Sequence, residues 1–254
     1  ELALKALNRL EHRGGKGFDQ DTGDGAGILV DIPWTFFKAR MQASDLKKAR
    51  KSEILALAVI FSRNISSPVL DRTLSKQAKV LGSRYLGSLQ VPVKPEHLGS
   101  IAQANQPDIQ HAFFAIPAEG KYSAEQQTYL MRKSLENRIQ ESGLSLYFCS
   151  FSTRTMVYKG LLSSYQIGQF YPDLREPEFK TRMAIFHERF STNTNPSWEM
   201  AQPFHGIAHN GEINTIRGNR LWMNARQRQL QSKFWKEDFQ KLRPIITPGL
   251  SDSA

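Results

Sequence analysis

Of the 254 residues, only Cys149 is a cysteine. A single thiol cannot close a disulfide within the chain, and it leaves no cysteine cluster for structural zinc, so a reducing, cytoplasmic setting is expected. No apolar run approaches the roughly 20 residues that a membrane span requires, and the first residues lack the charged, apolar, then small order of a secretory signal. Internal repeats and low-complexity linkers are also absent, so one domain over residues 1–254 is expected. No initiator Met precedes Glu1 and no stop signal follows Ser251-Asp252-Ser253-Ala254, which predicts a domain incomplete at both ends.

Lys and Arg total 34 against 24 Asp and Glu, a net charge of +10. Such an excess favours anionic partners in general. The densest cluster, Lys47-Lys48-Ala49-Arg50-Lys51, is short and carries no interleaved aromatics, so it reads as a solvated face. Nucleic acid and membranes are therefore not expected partners. A nucleic-acid binder would betray itself by a steep salt dependence of affinity.

Hydrophobic spacing outlines the elements. Leu4, Leu7 and Leu10 mark one buried helical stripe ending before Gly14-Gly15. Ile28 to Ile32 is a strand halted by Pro33, Trp34 to Met41 is helical, and Ile54 to Phe61 is a more deeply buried strand. Val69 to Leu81 has a helical period, Leu86 to Val93 is extended, and Ile109 to Ile116 is another strand. Ser123 with Gln126 has capping-box spacing and opens an amphipathic helix that Gly143 terminates. Leu146 to Phe151, Thr155 to Tyr158, Arg182 to Phe190 and Phe204 to His209 are strands, and Asn219 to Lys233 is a surface helix.

Several motifs admit more than one use. Asn210-Gly211 between two extended runs is a strong hairpin signal, because both residues tolerate positive φ. The same turn can aim an Asn amide and a Gly N–H at a developing oxyanion. Arg189, at the end of an apolar strand, is either a surface ion-pair partner or a planar clamp for a carboxylate. Asp21-Thr22-Gly23-Asp24-Gly25-Ala26-Gly27 lacks the Lys-Ser/Thr of a phosphate loop and the acidic spacing of a calcium loop, which leaves a tight turn feeding the Ile28 strand. Cys149 lies in an apolar run, where a thiol acts as a small hydrophobe. The histidines show no ligand spacing; His205 and His209 on a strand would stand about 13 Å apart, so no metal site is expected.

Taken in order, Arg9-Leu10-Glu11-His12-Arg13-Gly14, Thr22 to Gly27, Val157-Tyr158-Lys159-Gly160, Phe170 to Leu174, His187 to Thr194, Pro196-Ser197-Trp198, Ala208 to Asn214, Gly218-Asn219-Arg220 with Trp222-Met223, and Ser251 to Ala254 resemble the amidotransferase part of glutamate synthase large subunits, within the class II glutamine amidotransferases. The long Pro33 to Glu178 segment favours that family over smaller relatives. The resemblance implies an α+β, four-layer αββα N-terminal-nucleophile hydrolase fold, with two stacked antiparallel sheets between helical layers. It implies hydrolysis of L-glutamine by an N-terminal cysteine whose α-amine is the general base. Arg189 would bind the substrate α-carboxylate, Asp252 its α-ammonium, and Asn210 with Gly211 the oxyanion. Thr192 would line the pocket and Arg13 would support the nucleophile's loop. Ammonia would pass to a synthase domain carrying FMN and an iron–sulfur cluster, none of it in this chain, with a small reductase subunit or ferredoxin as electron donor.

Two departures stand out. Glu188 and Asn195 occupy positions where a small polar and a bulky apolar residue are expected. The nucleophile is absent from the chain; by the family's spacing it lies roughly twenty residues before the first helix, so the piece is expected to be inactive alone. The alternative is a non-catalytic, glutamine-binding regulatory module that never had the cysteine.

Overall fold

The computed structural model describes residues 1–16, 19, 21–41, 49–188, 196–204 and 215–247, without the side chains of residues 140–142. In chain order its helices and strands are α1 (Leu2–Asn8), β1 (Ala26–Asp31), α2 (Trp34–Arg40), β2 (Glu53–Arg63), α3 (Ser67–Val80), β3 (Arg84–Gln90), α4 (Ser100–Ala104), β4 (Asp108–Pro117), α5 (Ala124–Ser142), β5 (Ser145–Ser152), β6 (Thr155–Gly160), α6 (Ser164–Phe170), β7 (Ala184–Glu188) and α7 (Ile216–Gln227). The strands form two antiparallel sheets, one ordered β6-β1-β7 and the other β3-β4-β2-β5.

Strand alternation explains why the sheets stack. Leu57, Val59 and Phe61 of β2, with Ile109, Phe113 and Ala115 of β4, share one core with Ile28, Val30 and Tyr158 of the smaller sheet. The intervening residues Ala56, Ala58, Ile60, Ala112, Phe114 and Ile116 point the other way, into a second core with Leu70 and Leu74 of α3 and Met131, Leu135 and Ile139 of α5. A period of two on the strands and of three to four on the helices is what each geometry requires to present one continuous apolar face. β2 and β4 therefore carry continuous apolar runs, Ile54 to Phe61 and Ala112 to Ile116, being covered on both sides. On the far side of the smaller sheet, α1 and α6 pack on each other and on β1 and β7. The result is the helix, sheet, sheet, helix order implied by the resemblance.

The described strand and helix expectations are met, with ends shifted by a few residues. The predicted cap is present: the Ser123 N–H donates to Gln126 Oε1 at 3.0 Å and the Gln126 N–H to Ser123 Oγ at 3.4 Å. Gly143 ends α5 in the left-handed conformation at φ +68°. Open space surrounds that position, so Gly143→Ala meets only the backbone penalty. It is expected to lower stability by about 1 kcal/mol, read from the urea midpoint at unchanged m-value.

Two helices escape sequence reasoning. α6 has no amphipathic stripe because Ser164, Gln166, Ile167, Gly168 and Phe170 are all buried. The overlooked signal is Ser163-x-x-Gln166, a second capping-box spacing, in which the Ser163 N–H donates to Gln166 Oε1 at 2.8 Å. α4 spans five residues, too few for a period to show. α7 runs earlier than the expected Asn219 to Lys233 and stops at Gln227. Beyond it the Arg243 guanidinium takes the carbonyls of Arg228 and Leu230, at 3.3 and 3.0 Å. Residues 205–209 of the expected Phe204 to His209 strand, and Lys47-Lys48 of the basic cluster, lie outside the described residues.

Candidate functional site

Of the residues singled out for chemistry, Arg13 alone is described. It closes a short 3₁₀ turn, Glu11–Arg13, with its side chain exposed. Arg189, Thr192, Asn210, Gly211 and Asp252 lie outside the described residues, as do His205, His209 and Asn195. What the structure does describe is the framework from which 189–195 and 205–214 emerge: the end of β7 before the first, and the segment 196–204 between the two.

Glu188 ends β7 and is 5% exposed. Its Oε1 accepts the Ser164 N–H at 3.0 Å, at the start of α6. A Cβ on Gly14 would fall 2.7 Å from the same oxygen. This unexpected glutamate thus joins three pieces of chain, namely the strand end leading to Arg189, the first turn of α6, and the loop after Arg13. A small polar residue at 188 would reach neither neighbour.

The segment Pro196 to Phe204 rests on β1 and β6 through a set of close contacts. Trp198 is fully buried, its indole Nε1 donating to the Ala102 carbonyl at 3.1 Å. Its ring lies where a Cβ on Gly160 would come within 2.4 Å of Cζ3, so only glycine admits the indole there. The Gln202 carbonyl takes the equivalent place over Gly27, 2.3 Å from a virtual Cβ. Between these two glycine contacts stands Lys159, with no exposed surface. Its Nζ donates to the Glu199 carbonyl at 2.7 Å and to Tyr147 Oη at 3.0 Å, and it lies 4.3 Å from the Phe204 ring centroid. The Glu199 carboxylate pairs with Arg63. Burial lowers the Lys159 pKa to about 8, opposed by Cys149 and the Glu199 carboxylate.

A buried lysine persists only when its donors are used, since an unpaired ammonium in apolar surroundings costs several kcal/mol. Here two acceptors and two aromatic faces meet it. The chemical consequence is positional: Lys159 holds the backbone midway between the two segments expected to bind a substrate carboxylate and an oxyanion. Lys159, Gly160 and Trp198 were visible in the sequence only as parts of longer motifs. A lysine and a glycine closing an otherwise apolar strand were the local signal.

The glycine-rich turn is anchored from two sides. The Asp19 carboxylate accepts the Thr22 and Ile101 N–H groups and the Thr22 and Ser100 hydroxyls, so its pKa falls well below the usual carboxylate range, the Ile101 N–H contributing most. Gln166 Nε2 donates to the carbonyls of Asp21 and His97 at 2.9 and 2.8 Å. The stretch is a turn feeding β1, as its composition predicts. Cys149 is buried in β5, and burial pushes its thiol pKa well up, so it is an inert core group. Among the described residues, no group of three or more His, Cys, Asp or Glu side chains is placed to hold a metal ion, and no helix is long and apolar enough to cross a membrane.

Comparison with known proteins adds to this geometry. The family model described as class-II glutamine amidotransferases matches residues 1–254. The chain is 41% identical over 257 residues to the glutamate synthase [NADPH] large chain of Bacillus subtilis (strain 168), covering 99% of this chain and 17% of that protein. It is 39% identical over 259 residues to the ferredoxin-dependent glutamate synthase of Pyropia yezoensis, covering 99% of this chain and 17% of that protein. It is 35% identical over 261 residues to the glutamate synthase [NADPH] large chain of Azospirillum brasilense, covering 100% of this chain and 17% of that protein. The chain thus spans about a sixth of the length of these relatives.

Proposed function

This chain belongs to the class-II glutamine amidotransferases, and we propose that it is the glutaminase domain, over residues 1–254, of a longer glutamate synthase. The observation that carries this reading is similarity running the whole length of the chain to glutamate synthases of both the NADPH and the ferredoxin-dependent kind. The framework around Glu188 and Lys159 supports it, because it fixes the chain on either side of residues 189–195 and on the N-terminal side of 205–214, two of the segments to which the resemblance assigns glutamine.

In this reading the thiol of an N-terminal cysteine attacks the side-chain amide carbon of L-glutamine, with its own α-amine taking the thiol proton and passing it to the departing ammonia. Asn210 and the Gly211 N–H stabilise the oxyanion, Arg189 holds the α-carboxylate, Asp252 the α-ammonium, and Thr192 lines the pocket. Arg13 supports the nucleophile's loop. Water then cleaves the thioester to release glutamate. Cys149 cannot replace the nucleophile, since it sits inside β5 with a raised pKa.

Ammonia passes to the synthase region, where it is combined reductively with 2-oxoglutarate. The resemblance assigns FMN and an iron–sulfur cluster to that region, and a chain whose one cysteine is buried offers no thiolate set for the cluster. Electrons come from a small reductase subunit or from ferredoxin.

Two measurements test the reading. Mass spectrometry of the mature full-length protein should find cysteine at position one, upstream of Glu1, and the protein should release ammonia from glutamine. Glutamine binding without turnover, and another residue at position one, would instead establish the regulatory module. Within the active protein, Arg189→Lys should raise KM for glutamine roughly tenfold at nearly constant kcat, because one arm of the carboxylate clamp is lost. An unchanged KM would remove Arg189 from the substrate site.

A further inference from the structure

A cleft of about 390 Å³ lies between the end of β2, the start of β5, the second half of α5 and Glu199. Its size is that of a small-molecule site, and such sites combine apolar walls with a few placed polar groups. Ile139, Leu144, Leu146 and Phe148 supply the apolar wall, and four charged side chains, Arg63, Lys133, Glu136 and Glu199, also line the cleft. The described residues that line it include none to which the resemblance assigns glutamine.

The charges decide what fits. Lys133 is 5% exposed, and the one carboxylate that reaches its Nζ among the described residues, that of Glu136, does so at 3.3 Å. An ammonium has three donors, and leaving donors unused in a buried setting is costly. Lys133 therefore has hydrogen bonds to give to a ligand. Glu136 also meets Arg132 Nε at 3.5 Å. Glu199 pairs with Arg63, whose Nη2 donates to the Asn105 carbonyl at 3.0 Å. A purely anionic ligand would face Glu136 and Glu199, and a purely cationic one Arg63 and Lys133. The complement of such a lining carries one charge of each sign beside an apolar body.

We propose that this cleft is an effector site for an α-amino acid with an apolar side chain, its carboxylate taken by Lys133 and Arg63, its ammonium by Glu136, and its side chain by Ile139, Leu144 and Phe148. Two lining residues connect the cleft to the framework of the candidate site. Tyr147 Oη and the Glu199 carbonyl both accept the Lys159 ammonium, at 3.0 and 2.7 Å, and Glu199 lies in the segment between 189–195 and 205–214. A ligand carboxylate on Arg63 competes with the Glu199 carboxylate, so occupancy loosens the hold on that segment and weakens glutamine binding. The coupling is reciprocal. This effect rests on the reading of the chain as a glutaminase domain, whereas binding to the cleft does not.

The test is calorimetry on the full-length protein with L-leucine, L-methionine and L-phenylalanine as probes. At least one should bind, and its amide, which lacks the carboxylate, and its deaminated acid should each bind about tenfold more weakly, the loss of one charge-assisted contact. Lys133→Met leaves Glu136 its contact with Arg132, and Ser145→Trp fills the cleft from an exposed position. Each should weaken probe binding by about tenfold or more while ammonia release from glutamine without probe stays at the parental rate. With rising probe, KM for glutamine should increase about fivefold and level off at constant kcat. No binding by any probe, equal binding of the amide or the deaminated acid, or binding that Ser145→Trp leaves unchanged would overturn the proposal. So would an unchanged KM, or one that climbs without a plateau, which is competition at the glutamine site itself. A parent protein that binds the probe but releases no ammonia from glutamine overturns the functional reading alone.

Discussion

Trp198→Ala is expected to destabilise the chain by about 3–5 kcal/mol, the range for truncating a large buried aromatic. Nothing around the indole is free to collapse into the space it leaves. The ring is gripped by Phe61 and Phe170, with centroids 5.9 and 5.5 Å away, and by the bare backbone of Gly160. Its Nε1–H satisfies the Ala102 carbonyl, which the variant leaves buried and unpaired. Thermal unfolding should show a midpoint about 10 °C lower, at roughly 2–4 °C per kcal/mol for a chain of this size. A loss below about 1 kcal/mol in urea would mean that the segment 196–204 is not held by this side chain. The same contact supports the glutamine site in the proposed function, so KM should rise in whatever fraction of the variant stays folded.

The second large effect concerns pH and Lys159. The folded pKa is about 8 against an unfolded value of about 10.5. Below pH 8 the fold carries the full cost of a buried ammonium, about 3 kcal/mol for that difference. Between 8 and 10.5 the unfolded chain binds the proton and the folded chain does not, so stability rises with pH in this window. Cys149 acts in the opposite direction above its ordinary pKa, because the unfolded thiol ionises while the buried one stays protonated. Tyr147, Tyr158 and Tyr171 add the same slope still higher. The measurement is therefore a difference. Unfolding free energy of the parent minus that of Lys159→Met should increase by about 2 kcal/mol from about pH 7.5 to 10, because the cysteine and tyrosine contributions cancel. A flat difference would show that Lys159 keeps an ordinary pKa and that its cradle does not desolvate it.

The sequence by itself determined the secondary structure wherever a local period or cap existed. Val69 to Leu81, Ile109 to Ile116 and the Ser123 to Gly143 helix declare themselves because one face must be apolar and a helix end must find partners for its free N–H and C=O groups. It also determined the family, since several short motifs in a fixed order identify a fold that none of them specifies alone. Arg189, Thr192, Asn210, Gly211 and Asp252 owe their assigned roles to that order and to the chemistry of their side chains.

The tertiary structure decided what no local rule could reach. α6 buries five of its seven residues, polar ones included, so it has no apolar stripe to read. Just past the end of α7, Arg243 captures the carbonyls of Arg228 and Leu230. Glu188 stands where a small polar residue is expected, and what it does there shows only in the fold, where Gly14 and Ser164 lie against it. Lys159 and Gly160 are two residues of an ordinary strand until Trp198 and Glu199, some forty positions later, fold onto them. Periods and caps are properties of a few consecutive residues and survive in the sequence. A cradle for a buried ammonium depends on distances between groups remote in the chain, and those exist only once the two sheets have stacked.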